Sequence, residues 1–276
     1  MSLELGDAAI AEMVEAVLEP LRKTYGAREL KRVEGAVAIA FGQASPDDQA
    51  PLQRAQKFHF PGLPATPWFD LSAYPAMREV VARCRAAAPD LKAEFLGACA
   101  QGAPLPDYYA GFEAEGQQKF HTVKQTQWTT LFLRKDGQKV NPGTVLCPRS
   151  TALVDSLEEH LFPFPEAFFS VLSPGARLPK HHDNTNAKLN FHVGVIVPPG
   201  CAIEVGGETR SWAEGECLGF DDSFLHQAWN ESRSQRVVLI LDLWRPELTL
   251  PERAAMRQLL ELVGHLERHT APQKPV

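Results

Sequence analysis

Leu189-Asn190-Phe191-His192-Val193-Gly194-Val195 alternates along its length. In an extended strand Leu189, Phe191, Val193 and Val195 share one face, and Asn190, His192 and Gly194 share the other. An apolar face of this kind packs on a core, so the opposite face makes Asn190 and His192 candidates for a polar cavity. Similar short β-type runs lie around it, at 128–133, 167–172, 189–197, 202–205, 216–220 and 235–243, separated by Gly, Pro, Asn and Asp. That pattern predicts an antiparallel sandwich or barrel.

Helices are expected on both sides of these strands. Over 7–25, Ile10, Met13, Val14, Val17, Leu18 and Leu21 recur at spacings of three and four, the stripe of an amphipathic helix. A second helix is expected over 75–100, with Met77, Val80, Val81 and Cys84 on one face and a break near Pro89. Further helices are expected over 151–160 and 251–269. The Pro- and Gly-rich stretch 60–64 reads as a connection, and 103–119 as an irregular segment able to cover a site. The chain therefore divides into a helical and loop region packed on the core (1–117), a β core (118–249) and a C-terminal helix and tail (250–276), with no internal repeat or low-complexity segment.

Composition bounds the partners. The 276 residues carry a formal net charge of −6 and a pI near 5.9, with no excess of Lys and Arg to neutralise phosphates; nucleic acid is not an expected partner. Hydrophobic residues at 44% and charged residues at 22% are ordinary for a packed globular chain. The five cysteines, at 84, 99, 147, 201 and 217, contain no C-x-x-C pair and read as reduced, buried thiols. The acidic N-terminus and the lack of an apolar run of ~18 residues predict a cytoplasmic protein with no membrane partner.

The chemistry is carried by His181-His182-Asp183 and by the end of Phe220-Asp221-Asp222-Ser223-Phe224-Leu225-His226. Read as His-x-Asp and a distal His, they offer two imidazoles and one carboxylate to one metal ion, while His182 points to the other side of the strand. Such a set with open positions suits a non-haem iron(II) oxygenase; zinc also accepts these ligands. Arg236 shares strand parity with Val238 and Ile240, and a guanidinium in so apolar a strand needs a partner. That partner is either an anionic ligand or a structural carboxylate such as Asp242 or Glu216. Asp221 and Asp222 either orient His226 or form a turn. Tyr108, Tyr109 and Trp128 line a pocket or fill the core, Asn190 contacts substrate or packs, and His160, His265 and His269 sit on solvated helix faces.

Taken together, Ser173-Pro174-Gly175, Pro179-Lys180-His181, Asn184-Thr185-Asn186, Phe191-His192-Val193-Gly194, Trp212-Ala213-Glu214-Gly215, the stretch 220–226, and Arg236 followed by Asp242-Leu243-Trp244-Arg245-Pro246-Glu247 resemble the aspartyl/asparaginyl β-hydroxylase family of iron(II)- and 2-oxoglutarate-dependent dioxygenases. The resemblance spans 128–247. It implies a mainly β fold with flanking helices around a double-stranded β-helix (jelly-roll, cupin-like) core. His181, Asp183 and His226 would hold Fe(II), Arg236 and Ser170 the far carboxylate of the cosubstrate 2-oxoglutarate, and His192 a further contact to it. It implies hydroxylation, by O₂, of an unactivated C–H of a small or peptide-like substrate, an amino acid or its derivative, with release of succinate and CO₂.

This chain departs from the family pattern twice. Asp183 stands where animal members lack a carboxylate, which leaves the three-ligand set intact. Asn190 stands where many relatives carry an arginine, so an acidic substrate side chain does not carry over. Two other functions fit the same residues: a cupin-type metalloenzyme that uses no 2-oxoglutarate, for which Arg236 is dispensable, and a non-catalytic ligand-binding domain.

Overall fold

The computed structural model describes residues 7–108 and 127–270, with side chains from 8 to 266 within those ranges. Its helices α1 (Asp7–Tyr25), α2 (Lys31–Ala40) and α3 (Pro75–Ala100) precede β1 (Trp128–Lys135) and β2 (Gln138–Lys139). Next come α4 (Gly143–Leu146), α5 (Pro148–Ser156), β3 (Ala167–Leu172), β4 (Arg177–His181) and β5 (Lys188–Ile196). The chain continues through β6 (Cys201–Val205), β7 (Glu208–Arg210), β8 (Cys217–Phe220), β9 (His226–Asn230) and β10 (Arg236–Trp244) to α6 (Leu250–Thr270). Tyr109, most of the expected irregular segment and the 117/118 boundary lie outside the described residues. No described helix is long and apolar enough to cross a membrane.

The chain forms two compact units. One comprises 1–47, 60–63 and 247–276, the other 48–59 and 64–246. In the first, Arg32 donates from Nε and Nη2 to the two oxygens of Glu252, each at 2.7 Å, the bidentate geometry that makes a guanidinium–carboxylate pair strong. Glu252 also accepts from the backbone of Thr249 at the start of α6.

The second unit holds the ten strands of the described residues. A six-stranded sheet runs β2-β1-β3-β10-β5-β8 and a four-stranded sheet β4-β9-β6-β7, every pairing antiparallel. Two facing antiparallel sheets of this order form the double-stranded β-helix. The two-residue period splits the larger sheet into two faces. Phe169 and Val171 of β3, Leu189 to Val195 at alternate positions of β5, and Val237, Leu239, Leu241 and Leu243 of β10 pack with Met77, Val80, Cys84, Leu91 and Phe95 of α3. Phe168 and Leu172, with Val238 and Ile240, turn inward and meet Leu178, Ile203 and Ala228 of the smaller sheet.

Helix α3 runs through Pro89 instead of breaking there. Proline removes one backbone bond at a cost of about 3 kcal/mol. Met77, Val80 and Cys84 before it and Leu91, Phe95 and Ala98 after it are all buried in one cluster, and about 1.5–3 kcal/mol for each large side chain outweighs that loss.

The expected strands are all present, and the expected helix at 151–160 becomes α5 followed by a 3-10 turn, Glu158–His160. The turn rotates His160 into the core between buried Leu157 and Leu161, so it is not a solvated helix residue. His265 is exposed, and the side chain of His269 lies outside the described residues. Six elements without a strong apolar period were not anticipated: α2, β2, α4, β4, β7 and β9. Strand β4 contains Pro179 and β9 reads His226-Gln227-Ala228-Trp229-Asn230, too polar to stand out. All five cysteines are free thiols; Cys84, Cys147 and Cys201 are buried and the other two half-buried.

Candidate metal centre and its pocket

Antiparallel pairing of β4 with β9 sets His181 directly opposite His226, and their rings lie 4.0 Å apart between centroids. Just beyond β4, the Asp183 amide donates to Asp222 O at 2.9 Å, which holds the carboxylate beside the two rings. One ligand atom from each of His181, Asp183 and His226 then lies within 4.8 Å of the others. Each histidine has its Nδ1 on a backbone carbonyl, His181 on Pro179 O at 2.7 Å and His226 on Phe224 O at 2.9 Å. A carbonyl only accepts, so Nδ1 carries the proton and Nε2 is left with its lone pair, the arrangement a metal-binding imidazole needs. Burial, with His181 alongside, lowers the pKa of His226 to about 3 and keeps it neutral.

His182 takes the other side of the strand, as parity requires, with Nδ1 2.8 Å from Ser223 O. Asp221 and Asp222 do not orient His226. Asp221 accepts from the Ser223 amide and hydroxyl at 3.0 and 2.5 Å, and from Arg245 and Gln53 at 3.1 Å each. It therefore organises the turn that delivers His226 to β9.

The three ligands open into a cavity between the two sheets, with an empty volume of about 610 Å³ counting its open mouth. At one end lies Arg236, 1% exposed. Its Nη1 is 3.4 Å from both Ser170 O and Ser170 Oγ, and its Nε has no partner. Burial alone pulls its pKa down to about 10. Among the described residues no carboxylate pairs with it: Asp242 is held by Lys188 at 2.8 Å and Glu216 by Arg85. The structural ion pair considered above is absent.

Ser170 Oγ also accepts from Trp128 Nε1 at 2.9 Å, so its own proton is free to point into the cavity. His192 Nδ1 accepts from Trp212 Nε1 at 3.2 Å. Indole only donates, so His192 Nε2 carries the proton, and that buried N–H is unpartnered. Burial and the nearby Arg236 push the His192 pKa well below its usual value, fixing it neutral. Trp212 reaches this position because Gly194 has no side chain: a Cβ there would sit 2.1 Å from Ala213 O. The backbone of 215–216 instead bonds to Gly194 at 2.8 and 3.0 Å, and the Trp212 ring lies 4.8 Å from the Arg236 guanidinium.

At the other end stand Lys188 and Glu166, to which the sequence pattern gave no role, beside Asp242, Tyr108 and Asn190. Lys188 bridges Asp222 and Asp242 at 3.0 and 2.8 Å. Glu166 accepts from Tyr108 OH at 3.0 Å, and burial with the neighbouring Asp242 raises its pKa to about 7. Asn190 donates to Asp222 at 3.0 Å, while Asn190 Oδ1 and Asp222 Oδ1 are buried without partners. Parity held the signal for most of them: 166 extends the inward set 168–170–172, 188 extends 190–192, and 242 extends 236–238–240. Of the aromatic candidates, Tyr108 and Trp128 do line the cavity, stacked 4.1 Å apart.

A family model described as aspartyl/asparaginyl beta-hydroxylase matches residues 87–246. The human aspartate beta-hydroxylase domain-containing protein 2 is 34% identical over 210 residues, 74% of this chain and 54% of its own. The mouse aspartyl/asparaginyl beta-hydroxylase is 34% identical over 131 residues, 47% of this chain and 18% of its own. Domain-containing protein 1 of mouse is 49% identical over 96 residues, 34% of this chain and 27% of its own. The chain thus spans about half the length, or less, of these curated relatives. Among solved structures, the cupin domain of Schizosaccharomyces pombe Cnp3 matches 44% of this chain and 67% of its own at 10% identity, with a TM-score of 0.29. A cupin barrel protein from Salinispora arenicola matches 36% and 71% at 16% identity, with a TM-score of 0.26.

Proposed function

This chain belongs to the aspartyl/asparaginyl β-hydroxylase family, and from that premise we propose that it is an Fe(II)- and 2-oxoglutarate-dependent dioxygenase that hydroxylates a C–H bond of a small or peptide-like substrate. The observation that carries the proposal is Arg236, a fully buried guanidinium with no carboxylate partner among the described residues. A buried unpaired charge costs several kcal/mol, and a planar donor fork is the group that best recovers that cost by binding a ligand carboxylate bidentately. The Ser170 hydroxyl and the His192 N–H add two neutral donors to the same end. A dicarboxylic keto acid would take these donors with its far carboxylate, in the same cavity that the candidate metal ligands line.

His181 and His226 through their Nε2 lone pairs, and Asp183 through its carboxylate, would hold iron(II). Bound iron supplies the one-electron and O₂ chemistry that no side chain can. The reaction balances as one C–H bond and one 2-oxoglutarate oxidised by one O₂: one oxygen atom enters the new hydroxyl, the other enters succinate, and C1 leaves as CO₂. The chain's own residues orient the keto acid through Arg236, keep His192 neutral as a donor, and line the cavity with Trp128, Phe168 and Ile240, which limit water.

The test is succinate formed from 2-oxoglutarate under air, with and without iron(II), by the native protein and by His181→Ala and Arg236→Ala. Iron-dependent succinate in the native protein, lost in the first variant and lowered at least ~30-fold at limiting 2-oxoglutarate in the second, is expected. Succinate that does not depend on added iron(II), or undiminished turnover by Arg236→Ala, contradicts the assignment.

A further inference from the structure

The unpartnered buried atoms of the cavity sort by type. At the Arg236 end they are donors, Arg236 Nε and His192 Nε2; at the opposite end it is an acceptor, Asn190 Oδ1, whose amide donates to the Asp222 carboxylate behind it. Asn190 is 8% exposed, and leaving its acceptor unbonded is costly, so a ligand that brings it a hydrogen-bond donor is favoured.

Charge runs the same way. Glu166, Asp222 and Asp242 surround one ammonium, that of Lys188. Lys135, lying 5.4 Å over the Phe132 ring, acts on Glu166 only weakly. Asp183 is not counted, because a metal ion would neutralise it. Beside this acidic end Tyr108 stacks on Trp128 at 4.1 Å and on Phe168 at 5.5 Å, and all three line the cavity. Carboxylates next to aromatic faces are the chemistry that selects an organic cation.

We propose that the substrate presents a cationic nitrogen, an ammonium or guanidinium group, to Glu166 and Asn190, in the field of Asp222 and Asp242, with its carbon chain across Tyr108 and Trp128. The proposal rests on the dioxygenase reading above and names its substrate class. It also gives a reason for Asn190: an arginine at that position would stand among the same carboxylates and repel such a group.

The test titrates the metal-loaded protein, anaerobic and saturated with 2-oxoglutarate, with three probes of similar shape while the Trp fluorescence is read. They are Nα-acetyl-lysine amide, its Nε-acetylated neutral counterpart, and Nα-acetyl-glutamate amide. The cationic probe is expected to bind at least about tenfold more tightly than the neutral one, and Glu166→Gln to cut that preference several-fold while leaving 2-oxoglutarate binding unchanged. Preference for the neutral or the anionic probe, no binding of the cationic one, or a preference that Glu166→Gln leaves intact would overturn the proposal. The 2-oxoglutarate titration that precedes the probes reports separately on the dioxygenase reading: its failure with cation preference retained would sink only that reading.

Discussion

The two ends of one cavity are built from the same strands and differ in sign. The Arg236 end presents donors in surplus, and the Glu166 end presents acceptors in surplus. Each end alone is unfavourable, because a buried polar atom without a partner costs about 1–3 kcal/mol. Together, in the cavity that His181, Asp183 and His226 also line, they suit two ligands of opposite character, as the proposed function requires.

The largest effect expected from breaking that contrast is at Arg236. Replacing it with Met removes a buried unpaired charge, so the ligand-free protein should become about 1–4 kcal/mol more stable, while 2-oxoglutarate should no longer raise its Tm. Thermal unfolding of both proteins, with and without 2-oxoglutarate, measures both halves. A variant less stable than the native protein without ligand would mean that Arg236 has a structural partner.

A smaller effect is expected at Trp212. Its indole fixes the His192 tautomer and flanks the Arg236 guanidinium, so Trp212→Phe should weaken 2-oxoglutarate about fivefold, the equivalent of one net hydrogen bond. The KM for 2-oxoglutarate should rise with kcat little changed.

The smallest effect is a pH dependence at the acceptor end. Folding raises the Glu166 carboxyl to about 7, so the folded state holds that proton more tightly than the unfolded chain. Its stabilisation is present below pH about 4.5, the ordinary value, and is lost as pH rises through about 7. Glu166→Gln lacks this dependence, whereas Asp221, also raised to about 7, contributes equally to both proteins. The native-minus-variant difference in Tm should therefore fall between those pH values, and a flat difference would place Glu166 in ordinary solvent contact.

Much of this was legible in the sequence, and the reason is parity. Alternation along 189–195 placed the apolar face against α3 and the polar face in the cavity, and the same count put Arg236, Val238 and Ile240 on one side. The candidate metal ligands were legible as residue types, although the strands that carry the two histidines, β4 and β9, were not: Pro179 and a polar β9 leave no apolar run to count. The lack of a carboxylate partner for Arg236 among the described residues was not legible, since Asp242 shares its parity and is claimed by Lys188 across the sheet. Pairing of charges is decided by which strands become neighbours, and β10 meets β5 only in the folded sheet.

The central claim, that Arg236 waits for a carboxylate of 2-oxoglutarate, is tested most directly by anaerobic calorimetric titration of 2-oxoglutarate into the metal-loaded native protein and into Arg236→Met. Saturable binding of one equivalent by the native protein, weakened at least ~30-fold in the variant, is the predicted result. Equal binding by both proteins, or none by the native protein, would contradict it.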